Sequence, residues 1–308
     1  MWDALVASAS VRKSFKGPVA PLVHEGRAMV EQGRLGCRWA SLVRMSARRD
    51  AWPFLVRLGG AGAVDTASPM AWVRAGLPPE VAGCTRAGCC DPTALRAGWV
   101  TAADRAWPPD LRGVPLGPVA LAFEGSLGRL ASTRVAIVGA RACTETGRAA
   151  ARALAHAVAD AGGVVVSGLA WGIDAEAHRA AGGRTIAVLG QGLGAPMPAW
   201  QARLRDRVLE AGGLVVSEFD AHAPARPWTF PVRNRVLAAL ARAVVVVEAG
   251  ARSGARITAD LGLYMGREVL AVPGPPGGEA SEGCRAMIEE GAIPAVSPAV
   301  VLAAAGLR

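Results

Sequence analysis

Six short segments of the 308-residue chain end in residues suited to gripping an anion. They are Gly139-Ala140-Arg141; Ser167-Gly168 running on through Trp171 and Gly172 to Asp174; Gly190-Gln191-Gly192; Ser217-Glu218; Glu248-Ala249-Gly250 with Arg252-Ser253-Gly254 behind it; and Pro273-Gly274. Glycines and small hydroxyl residues let backbone N–H groups approach a negative oxygen closely, and a helix N-terminus adds a favourable dipole. One such loop is ordinary, but six in one chain predict a lined anion site. The first loop is not a dinucleotide fingerprint. G-x-G-x-x-G needs a second glycine where this chain has Arg141, so a pyrophosphate cannot settle on the backbone there. An arginine in that place meets a single phosphate bidentately.

Charge is the second signal. Between residues 226 and 256 lie Arg226, Arg233, Arg235, Arg242, Arg252 and Arg256 against one acid, Glu248, an excess that is more than half of the chain's net charge of +9. Trp228 and Phe230 fall in the same stretch, in Pro227-Trp228-Thr229-Phe230-Pro231-Val232-Arg233-Asn234-Arg235. Arginines beside aromatic rings suit single-stranded nucleic acid, with guanidinium groups on phosphates and rings on bases. A solvated helix face with Phe230 in the core would show the same pattern, and charge alone leaves both readings open.

Hydrolytic chemistry finds less support. His178 follows Asp174 by four residues on one expected helix, which reads as a capping and hydrogen-bonding pair rather than a catalytic dyad. Neither Ser167 nor Ser253 sits in G-x-S-x-G. Glu218 and Glu248 end neighbouring strands and would serve either as a carboxylate pair or as partners for backbone and arginine.

The elements that must carry these residues are legible from Arg134 onward. Apolar runs at 135–138, 164–167, 185–189, 214–217, 244–248 and 269–272 alternate with helical stretches at 146–161, 174–181, 199–211, 235–242, 255–265 and 284–291. Continuous apolar strands spaced by helices predict a parallel sheet covered on both faces. The fold class is therefore α/β, a Rossmann-like doubly wound sheet, in which ligands bind outside the carboxyl ends of the strands. Residues 1–106 are irregular, with Trp-Pro punctuation, and are expected to form a smaller helical or mixed N-terminal region; 107–308 form the Rossmann-like domain. In the first region Arg44, Arg48 and Arg49 would extend a DNA path or merely solvate a helix.

Composition bounds the rest. With 52% hydrophobic and 19% charged residues the chain is not intrinsically disordered. No apolar run reaches the roughly 18–20 residues of a bilayer span; the best, 292–306, is broken by Pro294 and Pro298. Arg12, Lys13 and Lys16 follow the first apolar stretch, the wrong order for a secretory signal, so a cytoplasmic location is expected. The excess of Lys and Arg, 34 against 25 acids, favours a polyanionic partner, although all but Lys13 and Lys16 are arginines in an Ala- and Gly-rich chain. Cys37, Cys143 and Cys284 are isolated, Cys84, Cys89 and Cys90 lack a second pair, and His24 is distant, so reduced thiols rather than a zinc site are expected. No metal or cofactor is called for.

Taken together, Val135-Ala136-Ile137-Val138-Gly139-Ala140-Arg141, the Ser167–Asp174 loop with Ala177-His178, Phe230-Pro231-Val232-Arg233-Asn234-Arg235, Glu248, Ser253-Gly254, Ile257-Thr258-Ala259, Gly266-Arg267 and Ala271-Val272-Pro273-Gly274 resemble the DNA-processing protein A (DprA/Smf) family, over about residues 107–305. The resemblance implies a single-stranded-DNA-binding recombination mediator, a homodimer, that helps load the RecA recombinase in natural transformation and is not an enzyme. It implies DNA contacts from Arg141, Ser167, Gly168, Arg233, Asn234, Arg235 and Ser253, beside which Gly139, Trp171, Phe230, Gly254 and Arg256 are expected to contact DNA in this chain. Asp174, His178, Glu248, Thr258, Pro273 and Gly274 would shape the pocket.

The sequence also departs from the family pattern. Trp171 stands where the family usually has Arg, so one phosphate contact is lost or replaced by stacking. The segment from Asp174 to Thr185 is shorter, Met197-Pro198 replaces Tyr-Pro, and Arg285 takes an Asn position. The family's winged-helix-like C-terminal domain is not expected after Arg308. Two rivals stay open: a nucleoside-monophosphate phosphoribohydrolase, for which Pro276-Gly277-Gly278-Glu279 lacks the later Gly-Thr, and a nucleotide-sensing scaffold, favoured by Trp171.

Overall fold

In the computed structural model the described residues are 98–101, 105–111, 114, 118, 120–219, 221–250, 253–275 and 278–308. The expectations for residues 1–97, including Arg44, Arg48, Arg49 and the Cys84–Cys90 stretch, lie outside them, as do Arg252, Pro276 and Gly277.

Nine strands form one sheet: β1 (Trp99–Thr101), β2 (Ala120–Gly125), β3 (Arg134–Val138), β4 (Val164–Ser167), β5 (Thr185–Leu189), β6 (Leu214–Ser217), β7 (Ala243–Val246), β8 (Glu268–Ala271) and β9 (Ile293–Pro294). Among the described residues seven α-helices accompany them: α1 (Glu145–Asp160), α2 (Ile173–Ala181), α3 (Ala199–Glu210), α4 (Thr229–Leu240), α5 (Gly254–Tyr264), α6 (Glu282–Glu289) and α7 (Pro298–Ala305). The strand order is β1-β2-β6-β5-β4-β3-β7-β8-β9. Strands β3 to β9 pair in parallel wherever they are neighbours, whereas β2 is antiparallel to both β1 and β6. The Rossmann-like α/β expectation holds.

Alternate residues of each central strand feed opposite layers. Ala136 and Val138 pack with Val244 and Val246 beneath Val236 and Leu240 of α4, Ala259 of α5 and Met287 of α6. Val135 and Ile137 pack with Val245 under Leu154 of α1, Ala177 of α2 and Val301 of α7. Both faces are thus dry, which is why the strands read as unbroken apolar runs. Each fully buried valine or leucine contributes about 1.5–3 kcal/mol relative to exposure.

Three elements differ from the sequence reading. Helix α4 begins at Thr229, six residues before the expected start, because Pro231 falls in its first turn, where no intrahelical N–H is needed. The Phe230–Arg235 motif is therefore helical. The proline-broken run at 292–306 contains helix α7, opened by Pro298 and closed by Gly306 at φ +69°. Ahead of the alternating pattern the antiparallel strand β2 joins the sheet, and β1 extends it from residues N-terminal to position 107.

Arg134, at the start of β3, ties the lead-in to the sheet. Its buried guanidinium pairs with Asp110 at 2.5 Å and donates to the Leu240 carbonyl at 2.6 Å.

Candidate nucleic-acid interface

The chain winds from β3 outward to β6, then returns to place β7 on the other side of β3. That reversal separates the loops after β3 and β7 and opens a crevice at the carboxyl ends of the strands. A cleft of about 250 Å³ lies there. Gly139 and Arg141 after β3, Ala170 and Asp174 beyond β4, Phe230, Arg233 and Asn234 of α4, and Ser253, Gly254 and Thr258 at the start of α5 line it. Nine of the expected DNA-contact and pocket residues, Phe230 among them, therefore meet at one place.

The floor is built by Arg233. Its Nη1 donates to the carbonyls of Gly168 at 2.5 Å and of Val188, bridging the ends of β4 and β5. Gly168 allows this approach, since a Cβ there would lie 2.5 Å from the guanidinium. Burial brings the Arg233 guanidinium down to about 10, with Asp174 opposing and Arg141 adding to the fall; it remains charged at neutral pH. Asp174 is buried beside it and accepts from the N–H groups of Gly168 at 3.1 Å and Ala170 at 3.4 Å. Burial pushes this carboxyl above its ordinary range, against the pull of Arg233.

The mouth is built by Arg141, whose exposed guanidinium lies 5.5 Å from the centroid of the Phe230 ring. Gly172 lets the β4–α2 loop pass close beneath: its φ is +85°, and a Cβ would sit 2.4 Å from the Ala140 carbonyl oxygen. On the far wall Ser253 caps α5, accepting from the Ala255 N–H at 3.2 Å, and Asn234 Nδ2 donates to the Gly254 carbonyl at 3.2 Å.

Several expected contacts are placed elsewhere. Arg235 is buried in an ion pair with Glu218 and does not line the cleft. The motif's two arginines fall on different sides of α4 because consecutive odd positions are about 200° apart on a helix. Arg256 pairs with Glu290 beyond α6. Ser167 Oγ donates to the Ile137 carbonyl at 2.6 Å, a bond within the sheet. The Gly168 N–H, expected to face an anion, is occupied by Asp174. Pro273 and Gly274 follow β8 outside the cleft lining. Trp171 is exposed and packs against Trp200, over a neighbouring hollow.

The chain also fills one helix N-terminus itself. Glu248 is buried and accepts from the Thr144 N–H at 2.9 Å and the Thr144 hydroxyl at 2.5 Å, at the start of α1. Glu218 and Glu248 are thus each engaged with other partners, one with an arginine and one with a cap. The Asp174–His178 pairing does not form. His178 Nδ1 lies 2.7 Å from Thr185 Oγ1, and that hydroxyl donates to the Val165 carbonyl at 3.0 Å. The hydroxyl therefore accepts from Nδ1–H, and the imidazole is neutral. Burial, with Arg233 nearby, lowers its pKa to about 3.

Among the described residues no group of His, Cys, Asp or Glu is arranged to hold a metal, and no helix is long and apolar enough to cross a membrane. Cys143 and Cys284 are unpaired thiols. Sequence reasoning missed Val138, Ala170, Pro231, Leu237, Ala255 and Ile257 in the cleft lining. Their apolar types carry no chemical signal, and only for Pro231, Leu237, Ala255 and Ile257 could the helical phase of α4 and α5 have pointed to the cleft.

Residues 98–305 match the family described as DNA recombination-mediator protein A. The chain belongs to that family. It is 44% identical over 199 residues to protein Smf of Escherichia coli, a match covering 64% of this chain and 53% of that protein. The chain thus spans about half of that relative's length. The X-ray structure of DNA processing protein A from Streptococcus pneumoniae superposes with a TM-score of 0.72 at 32% identity, covering 87% of this chain and 97% of that one. A structure describing the single-stranded DNA binding mode of DNA processing protein A from Helicobacter pylori gives a TM-score of 0.59 at 26% identity, covering 67% and 94%.

Proposed function

We propose that this chain binds single-stranded DNA in the cleft between the ends of β3, β4 and α5, and assists a RecA-type recombinase as a homodimeric, non-enzymatic mediator in the cytoplasm. The carrying observation is the exposed Arg141 guanidinium over Phe230 at the mouth of a cleft floored by Arg233. A phosphate meets Arg141, and a base stacks on the adjoining planar surfaces. The engaged state of Glu218 and Glu248 supports binding over acid–base catalysis. The name of the recombination-mediator family and the DNA-binding relative from Helicobacter pylori support the partner class.

The test is fluorescence anisotropy of the full chain with single- and double-stranded oligonucleotides across a salt series. A preference for the single strand, weakening linearly in log–log salt, is the expected result. Equal affinity for a mononucleotide and an oligonucleotide would replace this reading with a nucleotide sensor. Strand-exchange assays with RecA then address the mediator step.

A further inference from the structure

Beside the first cleft lies a second hollow of about 210 Å³, lined by Trp171, Trp200, Leu204 and three arginines, Arg179, Arg203 and Arg207. The two share a border at one peptide bond, since Ala170 lines the first and Trp171 the second. Trp171 is 50% exposed, a large apolar surface left in water. Its ring meets that of Trp200 edge to face, with centroids 5.1 Å apart and planes at 86°. The two rings thus lean on each other at the hollow while about half of the Trp171 surface stays in water.

The charges around the pair are of one sign. Trp200, Arg203, Leu204 and Arg207 recur at helical spacing, so they occupy one face of α3. Leu204 is buried and anchors that face, while both arginines are exposed. Arg203 and Arg207, four residues apart, repel each other. Neither has a carboxylate partner among the described residues, whereas Arg179 Nη1 is held by Glu176 at 2.8 Å. A half-exposed tryptophan flanked by two exposed arginines that pair with no carboxylate among the described residues matches what a stacked base and its phosphates require.

We propose that this hollow is a second single-stranded DNA subsite, taking the nucleotides that leave the Arg141–Phe230 cleft, with a base on the tryptophan pair and phosphates on Arg203 and Arg207. It rests on the single-strand reading of the first cleft. The strand runs from the mouth at Arg141 over the Ala170–Trp171 peptide and along α3.

Anisotropy with oligothymidylates of increasing length tests it, using the full chain, the variant Trp171→Ala/Trp200→Ala and the variant Arg203→Ala/Arg207→Ala, each checked by circular dichroism melting. The shortest oligonucleotides are expected to bind all three proteins alike. Longer ones lose about fivefold or more with the tryptophan variant, and the arginine variant lowers their salt slope by about 1.4. The exposed arginines keep the test decisive should the tryptophan variant fail to fold. Unchanged affinity at every length, or an equal loss at every length, overturns the second subsite. If Arg141→Ala weakens binding throughout while the α3 variants do not, only this inference falls; if the wild-type chain binds no single strand, both readings fall.

Discussion

The Arg141 guanidinium carbon stands 5.5 Å above the centroid of the Phe230 ring, although one residue follows β3 and the other opens α4. The ring's negative face holds the cation, so the side chain of an exposed loop arginine is already aimed across the cleft. Less freedom is lost when a phosphate arrives.

Arg141→Ala is expected to weaken single-stranded DNA binding for all base compositions and to lower the salt slope by about 0.7, the share of one phosphate on a single strand. Phe230→Leu removes the stacking surface and should cost about fivefold or more in affinity with the slope retained. Anisotropy titrations at four salt concentrations separate the two effects.

Arg235 is expected to matter for folding rather than for DNA. Arg235→Met leaves Glu218 buried without its cation and should cost about 3–5 kcal/mol in urea unfolding, much of it recovered by adding Glu218→Leu. The double variant should bind single strands with the wild-type salt slope. A slope reduced by about 0.7 would place the guanidinium on a phosphate instead.

His178 predicts a pH dependence with a definite sign. Its pKa falls from 6.5 in the unfolded chain to about 3 in the native one. Below pH 6.5 the unfolded state takes up a proton that the native state refuses, so stability present above that pH is lost as the pH falls toward 3. The slope is about 1.4 kcal/mol per pH unit. Denaturation of wild type and His178→Gln between pH 7 and pH 5 isolates the contribution, which the variant should lack.

Glu248→Ala leaves the N–H and hydroxyl of Thr144, the residue that caps α1, without an acceptor. A loss of about 1–3 kcal/mol is expected. Because the vacated helix N-terminus favours anions, sulfate should raise the melting temperature of this variant more than that of wild type. Equal shifts would argue against the capping role.

The alternation of apolar runs and Ala-rich segments was enough to place six parallel strands and six helices within a few residues, because a sheet covered on both faces imposes a signal on every strand residue. It was also enough to bring Gly139, Arg141, Ser253 and Gly254 toward one edge, since a doubly wound sheet gathers its strand-end loops there, whereas Arg233 and Asn234 were expected there from the family resemblance. Strand β2 and helix α7 were not legible: the first pairs antiparallel with both of its neighbours and lies outside the alternating strand–helix pattern, and prolines at 294 and 298 read as breaks although Pro298 opens the helix. What only the tertiary structure decided is which polar groups face outward. Arg233 and Arg235 are identical in type and two positions apart, yet one floors the cleft and the other is buried against Glu218. Likewise the Gly168 N–H and the α1 N-terminus look like anion sites in sequence, but Asp174 and Glu248 occupy them. Charge type is local, whereas partner choice depends on which helix face and which strand end the packed layers bring together.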